Sequence, residues 1–321
     1  LYIQVAMSRI LTVTLNPALD VSTQTDTVDP DLKLRCCAPN RDPGGGGVNV
    51  SRAIANLGGQ STAMVALGGT TAKDYRDLLK AEGLTPLELG PQRDIRQSLT
   101  VTETSTGRQY RFVMPGAEWQ TGDIDTALAR ITATARPGDL LVPSGSQPPG
   151  VPQDLFLKLN ATLAPTGVRM ILDTSGAALA AAAHAPRAPL ALLRMDHHEA
   201  AELTGTPLPD ALARAAAARQ LIDRGAAECV AIAGGPDGTV IATAEGAWNC
   251  PAPKVPVVSR VGAGDSFVAA LTLALHRGDP PSRACAWGVA AASAAVMTPD
   301  TRLCTRADTD RCYAQIQIQA L

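Results

Sequence analysis

The feature that most constrains the fold of this chain is a regular alternation of short apolar runs with helical segments from Thr121 onward. Strands are predicted near 139–142, 168–172, 189–193 and 228–233, each separated from the next by apolar residues at helical spacing. The runs are apolar throughout instead of alternating with polar residues, which is typical of strands buried on both faces. The sequence therefore predicts an α/β fold with a mostly parallel sheet covered by helices on both faces.

The N-terminal part departs from this alternation. A strand at 10–15 and a helix at 48–57 fit it, but the polar segment 20–43 is interpreted as irregular strands outside the main core. Two more strands, at 98–104 and 109–113, are joined by a short turn that is typical of a hairpin. Because segment 20–43 is polar, it is expected to lie apart from the main sheet.

The composition describes a globular protein and excludes several classes of function. Of the 321 residues, 45% are hydrophobic, 18% are charged and only 3% are aromatic, so the core must be built from Ala, Leu and Val. The net charge of −2 gives no sign of non-specific nucleic-acid or membrane-surface binding. No apolar run reaches the roughly 18 residues of a membrane-spanning helix.

The seven cysteines are scattered along the chain and form no C-x-x-C pair. An odd number of scattered thiols argues against a disulfide framework or a zinc site, and it favours reduced thiols. A cytoplasmic location is therefore expected. Residues 1–6 precede Met7 and are interpreted as an upstream extension, so the native fold is expected to begin near Ser8.

A glycine-rich turn at 262–264 stands between a predicted short strand at 255–258 and a predicted buried helix at 267–275. The first N–H groups of a helix have no intrahelical acceptor, and the helix dipole adds positive charge there. Glycines also allow the backbone to approach a ligand closely. The turn is therefore predicted to bind an anion such as a phosphate.

Asp265 lies inside this turn and has two interpretations. A carboxylate repels a bound phosphate, so its presence needs a physical reason. One reason is catalysis, in which Asp265 accepts a hydroxyl proton while the adjacent N–H groups hold the phosphoryl group being transferred. The other is that Asp265 caps the helix, which Asp does well. This stretch alone does not distinguish the two.

Two signatures in a fixed order carry a family resemblance. The first is Gly44-Gly-Gly-Gly-Val-Asn-Val-Ser-Arg-Ala-Ile-Ala-Asn-Leu-Gly58, and the second is Val261-Gly-Ala-Gly-Asp-Ser-Phe267. A run of four glycines exceeds what the start of a helix requires. From about Arg9 to Leu321 the chain resembles the ribokinase-like (PfkB) sugar kinases.

The resemblance implies a fold and an assembly. The fold is a ribokinase-like three-layer αβα domain at 8–321 with a mostly parallel central sheet. A small β-sheet lid is implied for two inserted segments, at about 20–42 and 96–114. The lid closes over the site and pairs with the same lid of a second copy, so a homodimer is expected.

The resemblance also implies a reaction, which is phosphoryl transfer from MgATP to the 1-hydroxyl of fructose 6-phosphate. This branch of the family is favoured by shorter stretches at 33–36, 96–99, 109–116, 144–150 and 301–304. The alternatives are phosphorylation of fructose 1-phosphate or tagatose 6-phosphate, or a sugar-phosphate sensor that retains the fold without activity.

Within the resemblance, Asp265 is the base that deprotonates the sugar hydroxyl, and Gly262, Ala263 and Gly264 hold the migrating phosphoryl group through their N–H groups. Asp20 corresponds to a ligand of the sugar hydroxyls. Arg96 corresponds to the group that binds the sugar's own phosphate, for which a guanidinium has bidentate geometry. Further implied sugar-site residues are Lys33, Arg35, Gly45, Gly46, Asn49 and Ser146.

A second set of implied positions concerns the metal and the nucleotide. Glu199 and Asp173 are implied to position magnesium through water, because Mg²⁺ keeps much of its hydration shell. The implied nucleotide contacts are Arg194, Asp196, Ala233, Gly235 and Gly238.

One departure from the family pattern affects the nucleotide contacts, and one further segment concerns a second metal ion. Ala233 stands where Ser or Thr is usual, so one hydroxyl group toward the nucleotide phosphates is missing. A segment with Thr298 and Asp300, together with Ser259 and Val261, often forms a monovalent-cation site in the family. Potassium is therefore a second implied cofactor.

Overall fold

Two β-sheets organise the chain in the computed structural model, which describes residues 8–90, 93–184, 188–299 and 301–321. Over these residues the larger sheet has ten strands and the smaller has four. The strands in chain order are β1 Ile10–Thr14, β2 Ala18–Thr25, β3 Asn40–Gly44, β4 Thr62–Val65, β5 Leu87–Glu88, β6 Arg96–Glu103, β7 Gln109–Val113, β8 Leu140–Pro143, β9 Arg169–Asp173, β10 Leu192–Asp196, β11 Cys229–Ala233, β12 Thr239–Thr243, β13 Gly246–Cys250 and β14 Gln319–Ala320.

Helices follow most strands of the larger sheet, as the alternation in the sequence predicts. Their bounds are α1 Gly46–Asn56, α2 Ala72–Ala81, α3 Thr121–Thr134, α4 Leu155–Leu163, α5 Gly176–His184, α6 His197–Thr204, α7 Ala211–Asp223, α8 Ala263–His276, α9 Pro281–Val296 and α10 Arg306–Tyr313.

The larger sheet has the strand order β14-β13-β12-β11-β10-β9-β8-β1-β4-β5. The seven strands from β11 to β5 run parallel to one another, which confirms the predicted parallel sheet. Strands β12, β13 and β14 add an antiparallel edge that the sequence pattern did not predict.

Both faces of the sheet are buried. Successive residues of one strand enter opposite cores, since Ile10 packs into one apolar cluster and Leu11 into the other. Small side chains allow close helix packing, and a Cβ on Gly288 of α9 would lie 2.7 Å from the ring of Phe267 in α8. Across the described residues we find no helix with the length and apolar character needed to cross a bilayer.

The smaller sheet has the order β3-β2-β6-β7 and is built from the segments that departed from the alternation. Strand β2 pairs with β6 in parallel, and β6 and β7 form the predicted hairpin. Apolar side chains are exposed at Phe112 and Val113 on the outer strand and at Met114 directly after it.

All seven cysteines are free thiols. Two of them, Cys36 and Cys37, are exposed in the segment that joins β2 to β3. The others are buried, at Cys229, Cys250, Cys285, Cys304 and Cys312.

The predicted strand at 255–258 is wrong. This segment forms no strand, and Val257 and Val258 are 59% and 57% exposed. Pro256 has no N–H group to donate to a ladder, and the N–H of Val258 instead donates to the carbonyl of Val296 at the end of α9, at 2.8 Å. An apolar run therefore serves here as an irregular connection to α8.

Candidate active site

The predicted anion-binding turn is the N-terminus of α8. Gly262 is the N-cap residue in a left-handed conformation, with φ of 75°. A Cβ at this position would lie 2.5 Å from Leu303, so both backbone conformation and space favour glycine. Helix α8 begins at Ala263, and no side chain caps the N–H groups of its first turn, which have no acceptor within the helix.

Asp265 does not cap this helix, because Gly262 holds the N-cap position and no side chain bonds to the helix end there. Its Oδ2 instead accepts a hydrogen bond of 2.9 Å from Asn49 Nδ2 on α1. The structure thus disfavours the capping interpretation that the sequence left open.

The pKa of Asp265 is raised to about 7. Burial is the main cause, and the negative charges of Asp173 and Asp20 act in the same direction. The hydrogen bond from Asn49 and the charge of Arg194 oppose the increase. A carboxylate that titrates near neutral pH is well matched to accept a proton from a hydroxyl group.

Asn49 is itself held by Arg52, a buried cation that is paired with Glu82. Its Oδ1 accepts a hydrogen bond of 3.1 Å from Arg52, whose guanidinium also donates to both carboxylate oxygens of Glu82 at 2.6 and 2.7 Å. Arg52 is only 8% exposed. Because Arg52 can only donate, the amide oxygen of Asn49 faces Arg52 and its NH₂ group faces Asp265.

The run of glycines before α1 is required by close packing. A Cβ on Gly46 would lie 2.5 Å from the backbone of Ser144 and Gly145, which follow β8. A Cβ on Gly44 would collide with the carboxylate of Asp20. Gly45 has φ of 122°, which is accessible to glycine. The run therefore brings β1, β8 and the small sheet together at one point.

Asp20 and Arg96 adjoin each other on neighbouring strands of the small sheet. Arg96 lies opposite Ala18 in the pairing of β6 with β2, two residues before Ser98, which lies opposite Asp20. Burial raises the pKa of Asp20, although the charge of Arg96 opposes this. The Nε of Arg96 is buried and has no hydrogen-bond partner among the described residues. This side chain therefore has donors to offer to an anion.

The remaining predicted sugar-site residues differ in how they are held. Ser146 Oγ accepts a 3.1 Å hydrogen bond from Asn16, so the segments that follow β1 and β8 are linked here. Lys33 and Arg35 lie exposed between β2 and β3. Within the described residues, neither forms a hydrogen bond or an ion pair with another predicted site residue.

Arg194 sits between the metal-site candidates and α8. Its Nη1 lies 3.0 Å from Asp173 Oδ1, and a Cβ on Gly264 would lie 3.3 Å from its Nη2. The other carboxylate oxygen of Asp173 accepts a 2.9 Å hydrogen bond from Ser144. Both oxygens of Asp173 therefore already have protein partners.

Asp196 and Glu199 form a reciprocal cap at the start of α6. Asp196 accepts hydrogen bonds from the backbone of His198 and Glu199, and Glu199 Oε2 accepts one of 2.9 Å from the N–H of Asp196. Burial raises the pKa of Glu199. Among the residues that the structure describes, no cluster of three or more His, Cys, Asp or Glu side chains could enclose a metal ion.

The predicted nucleotide turn follows β11. Ala233 lies opposite Asp196 in the parallel pairing of β10 with β11, so these two predicted contacts adjoin. Gly235 and Gly238 have φ of 61° and 89°, and a Cβ on Gly238 would clash with the carbonyl of Cys250. The side chain of Ala233 offers no hydroxyl group.

The monovalent-cation segment is described only in part. Thr298 Oγ1 donates toward the carbonyls of Ala295 and Arg302, at 2.8 and 2.6 Å. The N–H of Val261 donates to Ser259 Oγ at 3.2 Å. Asp300 lies outside the described residues.

Comparison with known proteins identifies the family. The model of the pfkB family carbohydrate kinases matches residues 15–308, which includes both glycine-rich signatures. The chain belongs to the PfkB family of carbohydrate kinases. The ends of the parallel strands and the start of α8 therefore form the candidate active site of a kinase.

Characterised members of the PfkB family cover almost the whole chain. The ATP-dependent 6-phosphofructokinase isozyme 2 of Escherichia coli is 38% identical over 97% of this chain and 99% of its own length. A 1-phosphofructokinase of Xanthomonas campestris is 35% identical over 83% of each chain.

Solved structures of phosphofructokinase-2 from Escherichia coli share the fold. Its complex with fructose-6-phosphate has a TM-score of 0.89 at 37% identity, and its complex with potassium has 0.91 at 38%. A tetrameric inhibited form also has a TM-score of 0.89, at 37% identity. Each superposition covers 96% of this chain and 99% of the other.

Sequence reasoning missed three residues that adjoin predicted site positions. Arg52 was part of the first signature, but its burial beneath Asn49 carries no sequence signal. Ser144 contacts Asp173 across two strands, which only the fold reveals. Arg214 lies in an Ala-rich helix that was interpreted simply as a helix, although a charged residue among alanines was a usable clue.

Proposed function

We propose that this chain is an ATP-dependent 6-phosphofructokinase that phosphorylates the 1-hydroxyl of fructose 6-phosphate. The observation that carries the proposal is the carboxylate of Asp265, whose pKa is raised to about 7 at the N-terminus of α8. A base and an anion seat on the same helix turn are what phosphoryl transfer to a hydroxyl requires.

In the proposed reaction, Asp265 takes the proton from the 1-hydroxyl as its oxygen attacks the terminal phosphorus of ATP. The bond between that phosphorus and the bridging oxygen breaks, and ADP leaves with the electron pair. The N–H groups of Gly262, Ala263 and Gly264 stabilise the negative charge on the transferred group. Arg194, next to Gly264, adds positive charge on the leaving side.

The sugar phosphate is proposed to bind between the glycine run and the small sheet. Asp20 accepts hydrogen bonds from sugar hydroxyls, and Gly45, Gly46, Asn49 and Ser146 line the ring. Arg96 binds the 6-phosphate, which is supported by its Nε, since this atom has no hydrogen-bond partner within the described part of the chain. Lys33 and Arg35 are proposed to reach the same phosphate from their exposed segment.

Magnesium, when bound with ATP, neutralises charge on the phosphates. Glu199 fits a water-mediated contact because its Oε1 is left over from the cap of α6. Asp173 fits less well, since Ser144 and Arg194 occupy its oxygens. Potassium remains a second proposed cofactor, supported by the potassium complex of the Escherichia coli relative.

The small sheet is proposed to act as a lid within a single domain at 8–321, built from segments 20–42 and 96–114. A homodimer through this lid is supported by the exposed apolar side chains of Phe112 and Val113 on its outer strand and of Met114 directly after it. The tetrameric form of a relative shows that higher assembly occurs in the family. We further propose a cytoplasmic location.

Phosphorylation of fructose 1-phosphate is the second candidate, favoured by the 35% identical 1-phosphofructokinase. The test is ADP release by purified protein with MgATP and fructose 6-phosphate, fructose 1-phosphate or tagatose 6-phosphate in parallel. The highest kcat/KM is expected with fructose 6-phosphate. A clear preference for another sugar would reassign the substrate, and no turnover with any of them would refute the kinase proposal.

A further inference from the structure

Arg214 is a buried cation that the proposed reaction leaves unused. It lies in the first turn of α7 and is 2% exposed. The nearby carboxylate of Asp210 is committed to capping α7, where it accepts a hydrogen bond from the N–H of Ala213 at 2.8 Å. A buried guanidinium is costly unless something compensates its charge.

The guanidinium of Arg214 packs directly against the nucleotide turn. A Cβ on Gly234 would lie 2.7 Å from Arg214 Cζ, 2.8 Å from Nη1 and 3.0 Å from Nη2. Gly234 has φ of −103° and ψ of 20°, which other residues adopt without strain. Space for Arg214, and not backbone conformation, therefore explains why glycine occupies this position.

Arg214 lacks a matched partner within the described residues. Its Nε is buried without a hydrogen-bond partner there. Its ion-pair neighbour is Asp237, at 4.0 Å from Nη1, and that side chain is 69% exposed. A long contact to an exposed carboxylate compensates poorly for a buried charge.

The location of Arg214 indicates which group compensates its buried charge. Gly234 directly follows Ala233, where the nucleotide site lacks a hydroxyl, and precedes Gly235. A guanidinium is suited to bidentate contact with phosphate oxygens. We propose that Arg214 is a nucleotide-binding residue that contacts the phosphate chain of ATP. This inference rests on the proposed kinase function and adds a phosphate ligand to it.

The test is calorimetric titration of the wild type, three Arg214 variants and one control variant with ATP and with adenosine. Arg214→Met and Arg214→Gln remove the charge, whereas Arg214→Lys keeps it. Arg224→Met is the matched control, since Arg224 is exposed at the end of the same helix. The measured quantity is the ratio of the two affinities, which does not depend on the fraction of folded protein.

Loss of the guanidinium is expected to weaken ATP binding roughly 10- to 100-fold while adenosine binding stays unchanged. The ratio of ATP affinity to adenosine affinity should fall less in Arg214→Lys than in Arg214→Gln. It should not change in Arg224→Met. If Arg214→Met does not fold, the comparison of Arg214→Lys with Arg214→Gln tests the inference. Equal losses for ATP and adenosine, or no loss, would overturn the inference.

The two proposals can fail separately. A wild-type protein that neither binds ATP nor phosphorylates a sugar would refute the kinase proposal itself. A wild-type protein that binds ATP, with variants that bind it equally well, would refute only the role of Arg214.

Discussion

The two sides of the cleft hold their charged groups in different ways. On the α8 side, Asp265, Asn49 and Arg52 are joined by a continuous set of hydrogen bonds within the protein. On the small-sheet side, Arg96 keeps a buried Nε that has no hydrogen-bond partner among the described residues, and Lys33 lies exposed. The difference supports the proposal that the groups for chemistry are preorganised, whereas the groups for binding the sugar phosphate are completed by the ligand.

The largest expected effect is on the preorganised side. Asp265→Asn should lower kcat at least about 10²-fold, because a general base typically contributes that much or more, while KM for the sugar phosphate changes little. Steady-state kinetics measures both, with Asp125→Asn on the exposed face of α3 as the control of equal charge. Undiminished turnover in Asp265→Asn would remove Asp265 from the role of base.

On the small-sheet side, binding should suffer more than chemistry. Arg96→Ala should raise KM for the sugar phosphate roughly 10- to 100-fold, since a charge-assisted contact to phosphate is lost, with a smaller change in kcat. Arg108→Ala, in the exposed turn of the same sheet, is the control. A change in kcat as large as that in KM would mean that the two sides are not functionally separate.

Preorganisation should also be visible in stability. The folded-state pKa of Asp265 is raised from 3.8 to about 7, so the folded state binds this proton more tightly than the unfolded state does. The destabilisation by the ionised carboxylate therefore develops as pH rises through this range and is complete above it. Asp265→Asn should be more stable than the wild type by roughly 1 to 4 kcal/mol near pH 8.

Urea unfolding near pH 4 and pH 8 measures this difference. The gain should vanish near pH 4, where Asp265 is mostly protonated in the folded state. A gain of the same size at both pH values would show that packing, and not charge, is responsible.

The smallest expected effect concerns Asn49. Its hydrogen bond lowers the pKa of Asp265, so Asn49→Ala should raise that pKa by about 0.5 to 1 unit. The acidic limb of the kcat–pH profile should then move to higher pH by the same amount. Asn56→Ala, which also loses a hydrogen bond on α1, is the control. If the acidic limb does not move, the hydrogen bond from Asn49 does not control the pKa of the base.

The sequence predicted the parts of this molecule that have local causes. The glycine runs and the strands from β8 to β11 follow from periodicity and from backbone freedom, which neighbouring residues reveal. Helix α8 was also predicted, but it begins at Ala263 and not at the predicted 267. The hairpin of β12 and β13 was missed, and 255–258 was misassigned, because an apolar run alone does not show whether a strand partner exists.

Contacts between distant segments could not be predicted. Asn49 and Asp265 are joined only because α1 and α8 both begin at the same edge of the sheet. Similarly, a buried Arg214 and an exposed Arg224 on the same helix look alike in a sequence. Burial of a charge, which carries the main inference about the nucleotide, becomes visible only in the fold.

The distribution of thiols gives this protein a practical property. Cys36 and Cys37 are exposed beside Lys33 and Arg35, while the other five cysteines are buried. A maleimide fluorophore would therefore attach to the small sheet without any engineered mutation. Its emission could then follow the movement of that sheet as sugar and nucleotide are added in turn.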